Sequence, residues 1–248
     1  MHSTNAFRSD HGHSLMLSAQ QQAIVHSKAA SIVIAALAGT GKTTTLACAT
    51  AQTLREQPST RVLVLAHSKS GVLAFQQRLA QLLRERPANV QITTMERWCA
   101  HQLRQRDPQV QFVTDAAQLR SHAQAALQWL DNQLQRQPDD QVQMPSEVDM
   151  PAFWEFNCAA KKSLLLQRLQ EDGDDLAQFC DAHLLDYTQA RLFLAYERLR
   201  IDDCGDVRYY AQGDCTYALA QADADSLRAD YDLIVLDEMH DMDLASLA

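Results

Sequence analysis

Between Ser31 and Thr94, short apolar runs alternate with amphipathic stretches. Residues 31–35 read SIVIA, residues 61–66 read RVLVLA and residues 90–93 read VQIT. Runs this short and this rich in β-branched residues predict buried strands. The intervening stretches have helical periodicity: residues 43–56, a second stretch with Val72, Leu79, Leu82 and Leu83 on one stripe, and a third from Met95 to Arg106. Strand–helix alternation predicts a parallel sheet with right-handed crossovers. From about Asp107 to Gln221 the pattern turns helical. Asp115 is placed to cap a helix that runs to Arg136, and Pro138, Pro145 and Pro151 mark a loop. Two more helices are predicted over residues 153–170 and 175–200, and YDLIVL at 231–236 returns to the buried-strand pattern. The fold predicted is an α/β core domain, residues 1–106 with 216–248, interrupted by a helical insertion subdomain over 107–215.

Composition narrows the class. Of 248 residues 46% are apolar and 21% charged, and only 7 are Gly and 6 Pro, which excludes collagen-like and Pro/Gly-rich disordered chains. The longest apolar run, residues 32–38, is far short of the roughly 20 residues of a membrane span. The first 14 residues are polar and contain histidines, unlike a signal peptide. The expectation is a soluble, cytoplasmic protein. Six widely spaced cysteines without a CxxC pair read as thiols in a reducing compartment, neither a disulfide framework nor a zinc site. The net charge of −9 hides an asymmetry: residues 1–120 hold 13 Lys and Arg against 6 Asp and Glu, and the rest hold 9 against 25. A basic track for nucleic acid in the first half is compatible with this, and so are two differently solvated surfaces.

The strongest chemical signal lies at Ala36-Leu37-Ala38-Gly39-Thr40-Gly41-Lys42-Thr43, which fits [AG]-x4-G-K-[ST] between a predicted strand and a predicted helix. This is the P-loop, or Walker A, pattern in its confirming context. Gly39 and Gly41 let the backbone curl so that successive N–H groups face phosphate oxygens. The helix beginning near Lys42 adds its positive end, Lys42 brings a charge to the β- and γ-phosphates, and the Thr43 hydroxyl is placed for Mg²⁺. Ala38, Thr40 and Thr44 complete the candidate nucleotide loop. Its acidic counterpart is Leu233-Ile234-Val235-Leu236-Asp237-Glu238, an apolar strand ending in two carboxylates. Asp237 is suited to Mg²⁺ and Glu238 to activating the attacking water as general base. The same pair could instead cap the next helix.

These blocks together resemble the N-terminal half of a UvrD/Rep-type superfamily 1 DNA helicase. Leu17-Ser18-Ala19-Gln20-Gln21 is similar to the family's Q motif, in which the Gln reads adenine; Ser18-x-x-Gln21 is also a capping box. Ala66-His67-Ser68-Lys69-Ser70 resembles T-F-T-N-K, with His67 at the position that packs on a DNA base and Ser68 at one that contacts the backbone. Lys69 takes the Asn position, so the family's Lys is missing from its place. Thr94-Met95-Glu96-Arg97-Trp98 is similar to T-x-H-S-F, and Trp98 is either a stacking platform for single-stranded DNA or a core residue of its helix. Asp203-Cys204-Gly205-Asp206-Val207 is a degenerate D-F-D-D-L. Asp237-Glu238-Met239-His240-Asp241 matches D-E-x-Q-D except at His240, and Thr44 replaces a frequent Arg.

The resemblance implies a RecA-like P-loop NTPase fold, ATP and Mg²⁺ as cofactors, single-stranded DNA as partner, and ATP hydrolysis coupled to strand movement. It also implies a second motor domain that supplies arginines to the transferring phosphate. Seven residues follow Asp241, so the expectation is nucleotide binding with weak or no hydrolysis by the isolated chain, the second domain coming from a partner or a missing C-terminal portion. Two other readings stay open: a non-catalytic, nucleotide-dependent regulatory or DNA-binding module, and a different P-loop ATPase.

Overall fold

The computed structural model describes residues 6–37, 39–85, 87–139, 142, 144–165, 176–201, 207–211, 213–221 and 231–247. In chain order the elements are β1 (Ala6–Arg8), β2 (Ser14–Met16), α1 (Ala19–Val25), α2 (Lys42–Glu56), β3 (Val62–Ala66), α3 (Lys69–Leu82), β4 (Val90–Thr94), α4 (Met95–Arg106), β5 (Gln111–Phe112) and α5 (Ala116–Arg136). There follow α6 (Met150–Lys162), α7 (Leu176–His183), α8 (Tyr187–Arg200), β6 (Tyr209–Tyr210), α9 (Asp214–Ala220), β7 (Leu233–Asp237), a 3₁₀ turn at Met239–Asp241 and α10 (Leu244–Leu247). They divide into two compact units: Met1–Trp98 with Asp223–Met242, and Cys99–Ala222 with Asp243–Ala248.

The first unit is built on a parallel sheet in the order β4–β3–β7. Every residue of β3 is buried, as expected of a central parallel strand covered on both faces. Helices α2 and α3 pack on it through Ala47, Cys48, Ala51, Leu54, Phe75, Leu79 and Leu82. The apolar stripe of α3 is centred on Phe75, which is fully buried, while Val72 is only partly so. Burial of a phenylalanine of this kind contributes roughly 1.5–3 kcal/mol. Burial also pushes the Cys48 thiol up to about 11, against the smaller opposing pull of Arg55 and Arg78. That thiol is protonated packing material rather than a nucleophile. In the register of the sheet, Ala66 stands opposite both Thr94 and Asp237. The carboxyl ends of all three strands therefore finish level, and the residues that follow them share one edge.

Residues 31–35 do not form the strand that their SIVIA run predicts. No strand pairing involves residues 31–37, and Ile32, Val33 and Leu37 are 45%, 74% and 82% exposed. The ladder β4–β3–β7 does not include this run. β-Branched residues supply propensity, but a strand exists only where a partner satisfies its backbone.

In the second unit, Asp115 caps α5 as predicted, accepting the Gln118 N–H at 2.8 Å. Pro151 lies in the first turn of α6, where its missing N–H costs nothing, so it opens a helix instead of marking a loop. The predicted helix over 153–170 ends at Lys162, with Ser163 as its C-cap; residues 166–170 lie outside the described residues. The helix predicted over 175–200 is two helices. Leu184 adopts φ 54°, and Asp186 caps α8 by accepting the Gln189 N–H at 2.8 Å. An apolar cluster around Leu127, Leu130, Phe153 and Tyr196 holds α5, α6 and α8 together.

Beside it lies a buried charge network. Lys161 of α6 pairs with Glu197 of α8 at 2.8 Å, Arg200 pairs with Glu197 at 3.0 Å, and both cations pair with Asp214 at the start of α9. Asp214 is fully buried and also accepts the Ala211 N–H. Burial works against the charge of Arg200, but Asp214 and Glu197 outweigh it and hold the guanidinium protonated.

Candidate active site

The P-loop pattern sits where α2 begins. Gly39 and Gly41 adopt φ 77° and 84°, the left-handed conformation that a side chain would strain, and Gly41 is the N-cap of α2. Lys42 follows as the first helical residue, and its ammonium donates to the carbonyls of Ala36 and Leu37, each at 2.9 Å. Thr40 ties the loop further, its hydroxyl donating to Leu37 O at 2.8 Å. Thr44 is half-buried in the first turn of α2. Ala38 lies outside the described residues.

Gln21 is held from two sides. Its Oε1 accepts the Ser18 N–H at 2.8 Å while its own N–H donates to Ser18 Oγ, which completes the capping box of α1. Its Nε2 lies 3.4 Å from Thr40 O, so the same side chain reaches the P-loop. A Cβ on Gly41 would stand 3.2 Å from this Nε2, so the Gln21 amide would have to give way by a few tenths of an ångström.

The acidic pair arrives from β7. Asp237 is buried, and its Oδ1 accepts the Thr43 hydroxyl at 3.2 Å across 194 residues of sequence. Glu238 adopts φ 59° and turns the chain into the 3₁₀ turn. Its carboxylate lies against the start of α3, with Oε2 3.5 Å from Ser68 Oγ. Asp237 thus meets Thr43, while Glu238 meets the start of α3 after the neighbouring strand. Two oxygen donors 3.2 Å apart suit a hard cation such as Mg²⁺, which takes few protein oxygens and fills its shell with phosphate and water. Among the described residues, no cluster of three or more His, Cys, Asp or Glu offers a metal site made by protein alone.

The other candidates sit at the same sheet edge in different ways. His67 is exposed directly after β3, and Ser68 caps α3 by accepting the Gly71 N–H at 3.0 Å. Thr94 ends β4, and its hydroxyl accepts the Arg97 N–H at 3.3 Å. Trp98 is half-buried, and its indole Nε1 is buried with no hydrogen-bond partner among the described residues. The block 203–206 lies outside the described residues. The sequence reading missed Gly71, whose α-carbon faces Glu238; an isolated glycine within a helical stripe was the available signal.

The family model described as UvrD/REP helicase N-terminal domain matches residues 17–247, nearly the whole chain. The chain belongs to this family. A UvrD/REP N-terminal domain is an ATP-binding domain of DNA helicases with a RecA-like P-loop fold, which agrees with the mixed α/β architecture and parallel sheet seen here. Comparison with curated proteins gives no match. Among the described residues no helix of this UvrD/REP domain is long and apolar enough to cross a membrane.

Proposed function

We propose that this UvrD/REP-type domain binds Mg·ATP at Gly39–Thr44 and single-stranded DNA on the neighbouring strand-end loops, as the first half of a DNA-translocating ATPase. The observation that carries the reading is the approach of Thr43 to Asp237 beside a left-handed glycine loop at a helix N-terminus. In this reading the loop N–H groups and the first turn of α2 bind the phosphates, and Lys42 exchanges its two carbonyl acceptors for phosphate oxygens. The Gln21 amide, held by Ser18 and Thr40, has a second Nε2 proton for an acceptor on adenine. Thr43 and Asp237 would hold Mg²⁺, which when bound offsets phosphate charge. Glu238 takes the proton of the attacking water.

For DNA, His67, Ser68 and Thr94 stand at the sheet's carboxyl edge, where open α/β sheets bind ligands, and Trp98 keeps part of its ring for a base. Core and insertion are proposed as residues 1–106 with 216–248, and 107–215. Arginines of a second motor domain would complete the hydrolytic site. Residues 1–248 alone should therefore bind nucleotide far better than they turn it over, since a missing arginine finger costs on the order of 10³–10⁵ in rate. The reading is tested by calorimetry on Lys42→Ala. We expect Mg·ATP binding to be lost while circular dichroism and melting stay wild-type, because Lys42 bonds only to its own loop. Wild-type affinity in this variant would remove the nucleotide assignment.

A further inference from the structure

Asp237 and Glu238 are adjacent in sequence but have different neighbours. Asp237 meets Thr43, whereas the left-handed backbone of Glu238 sends its side chain to the first turn of α3. There Oε2 is 3.5 Å from Ser68 Oγ, and the Ser68 oxygen also accepts the Gly71 N–H. A Cβ on Gly71 would stand 2.7 Å from Glu238 Oε2, 3.4 Å from its Cδ and 3.2 Å from the Ala66 Cβ. The first of these separations is one that real Cβ atoms do not adopt, and the Ala66 contact leaves little room for α3 to yield. Gly71 is an ordinary helical residue without positive φ, so its own backbone does not require glycine. Alanine would be the better helix former. What glycine supplies at this position is the space that the carboxylate fills.

We propose that Gly71 and Ser68 are positioning residues for Glu238: the gap at Gly71 sets how deeply the carboxylate seats, and the Ser68 hydroxyl sets its orientation. The inference rests on the reading of Glu238 as general base, and it assigns α3 a part in hydrolysis that the P-loop and the acidic pair do not provide.

The test uses the full chain and four variants: Gly71→Ala, Ser68→Ala, Glu238→Gln and Gly71→Ala/Glu238→Gln. Single-turnover ATP hydrolysis is measured with oligo(dT), nucleotide affinity by calorimetry, and the Gly71 amide and α-proton by NMR. Gly71→Ala is expected to slow hydrolysis by about tenfold, part of the roughly 10²–10⁴ that a general base contributes, with unchanged nucleotide affinity and no loss of melting temperature. Ser68→Ala should slow it by less, in the same direction. In the Glu238→Gln background Gly71→Ala should change nothing further, and Glu238→Gln alone should shift the Gly71 resonances. If Glu238→Gln slows hydrolysis and Gly71→Ala does not, the positioning role is overturned. Gly71 resonances indifferent to Glu238→Gln overturn it whatever the rates. If Gly71 responds but Glu238→Gln leaves hydrolysis unchanged, the general-base reading fails and the seat stands.

Discussion

Thr43 does two things at once: it lies in the first turn of α2 and directs its hydroxyl to a carboxylate 194 residues away. Its role as an oxygen donor can be separated from its role in the helix. Thr43→Val keeps the β-branched shape and removes the hydroxyl. We expect ATP affinity in EDTA to stay at the wild-type value, while the gain on adding Mg²⁺ shrinks. A variant that keeps the full Mg²⁺-dependent gain would take Thr43 out of the cation site. Lys42, Thr43 and Asp237 were legible in the sequence because a glycine loop before a helix and an acidic strand end are local patterns with local chemistry. Gly71 was not, because its contact with Glu238 forms only through folding.

At the level of elements, the insertion is tied together by charge as well as by apolar packing. Lys161, Glu197, Arg200 and Asp214 join α6, α8 and α9 with almost no exposure to water. A pair of this kind is costly to assemble, yet breaking one leaves a buried charge without its partner. Asp214→Ala strands both Lys161 and Arg200. We expect it to lower the unfolding free energy by about 3–5 kcal/mol in urea titration. A loss under about 1 kcal/mol would mean that water reaches the network, as it does at a surface pair. The caps of this unit were written in the sequence: Asp115 and Asp186 each precede a Gln whose N–H they accept three residues on. The Asp115 cap is legible there, whereas the break before Asp186 is masked by the apolar pattern that runs on through Leu184 and Leu185.

For the whole molecule, the basic excess of residues 1–120 and the acidic excess of the remainder make the DNA proposal quantitative. Residues 67–70 and 94–98 fall in the basic part, so binding should depend on phosphates and not on base sequence. Fluorescence anisotropy with oligo(dT) and a mixed-sequence strand should give equal, weak affinities. Both should fall with salt at a log–log slope of about −0.7 for each phosphate neutralised. A profile flat between 50 and 200 mM salt would rule out a phosphate track on these loops.

The sequence alone determined whatever depends on neighbours within a few residues. The left-handed glycines of the P-loop, the Ser18–Gln21 box, the Asp115 cap and the buried β3 core are all of this kind, since backbone conformation and capping are settled over one helical turn or strand. Tertiary structure decided what needs a distant partner. It left the apolar run at 31–35 without a ladder, set Ala66 level with Thr94 and Asp237, brought Thr43 to Asp237, and seated Glu238 against Gly71 instead of beside its neighbour. A strand or a catalytic contact is a relation between segments far apart in the chain. Propensity and motif specify each segment's side of that relation, and only the packed sheet supplies the other.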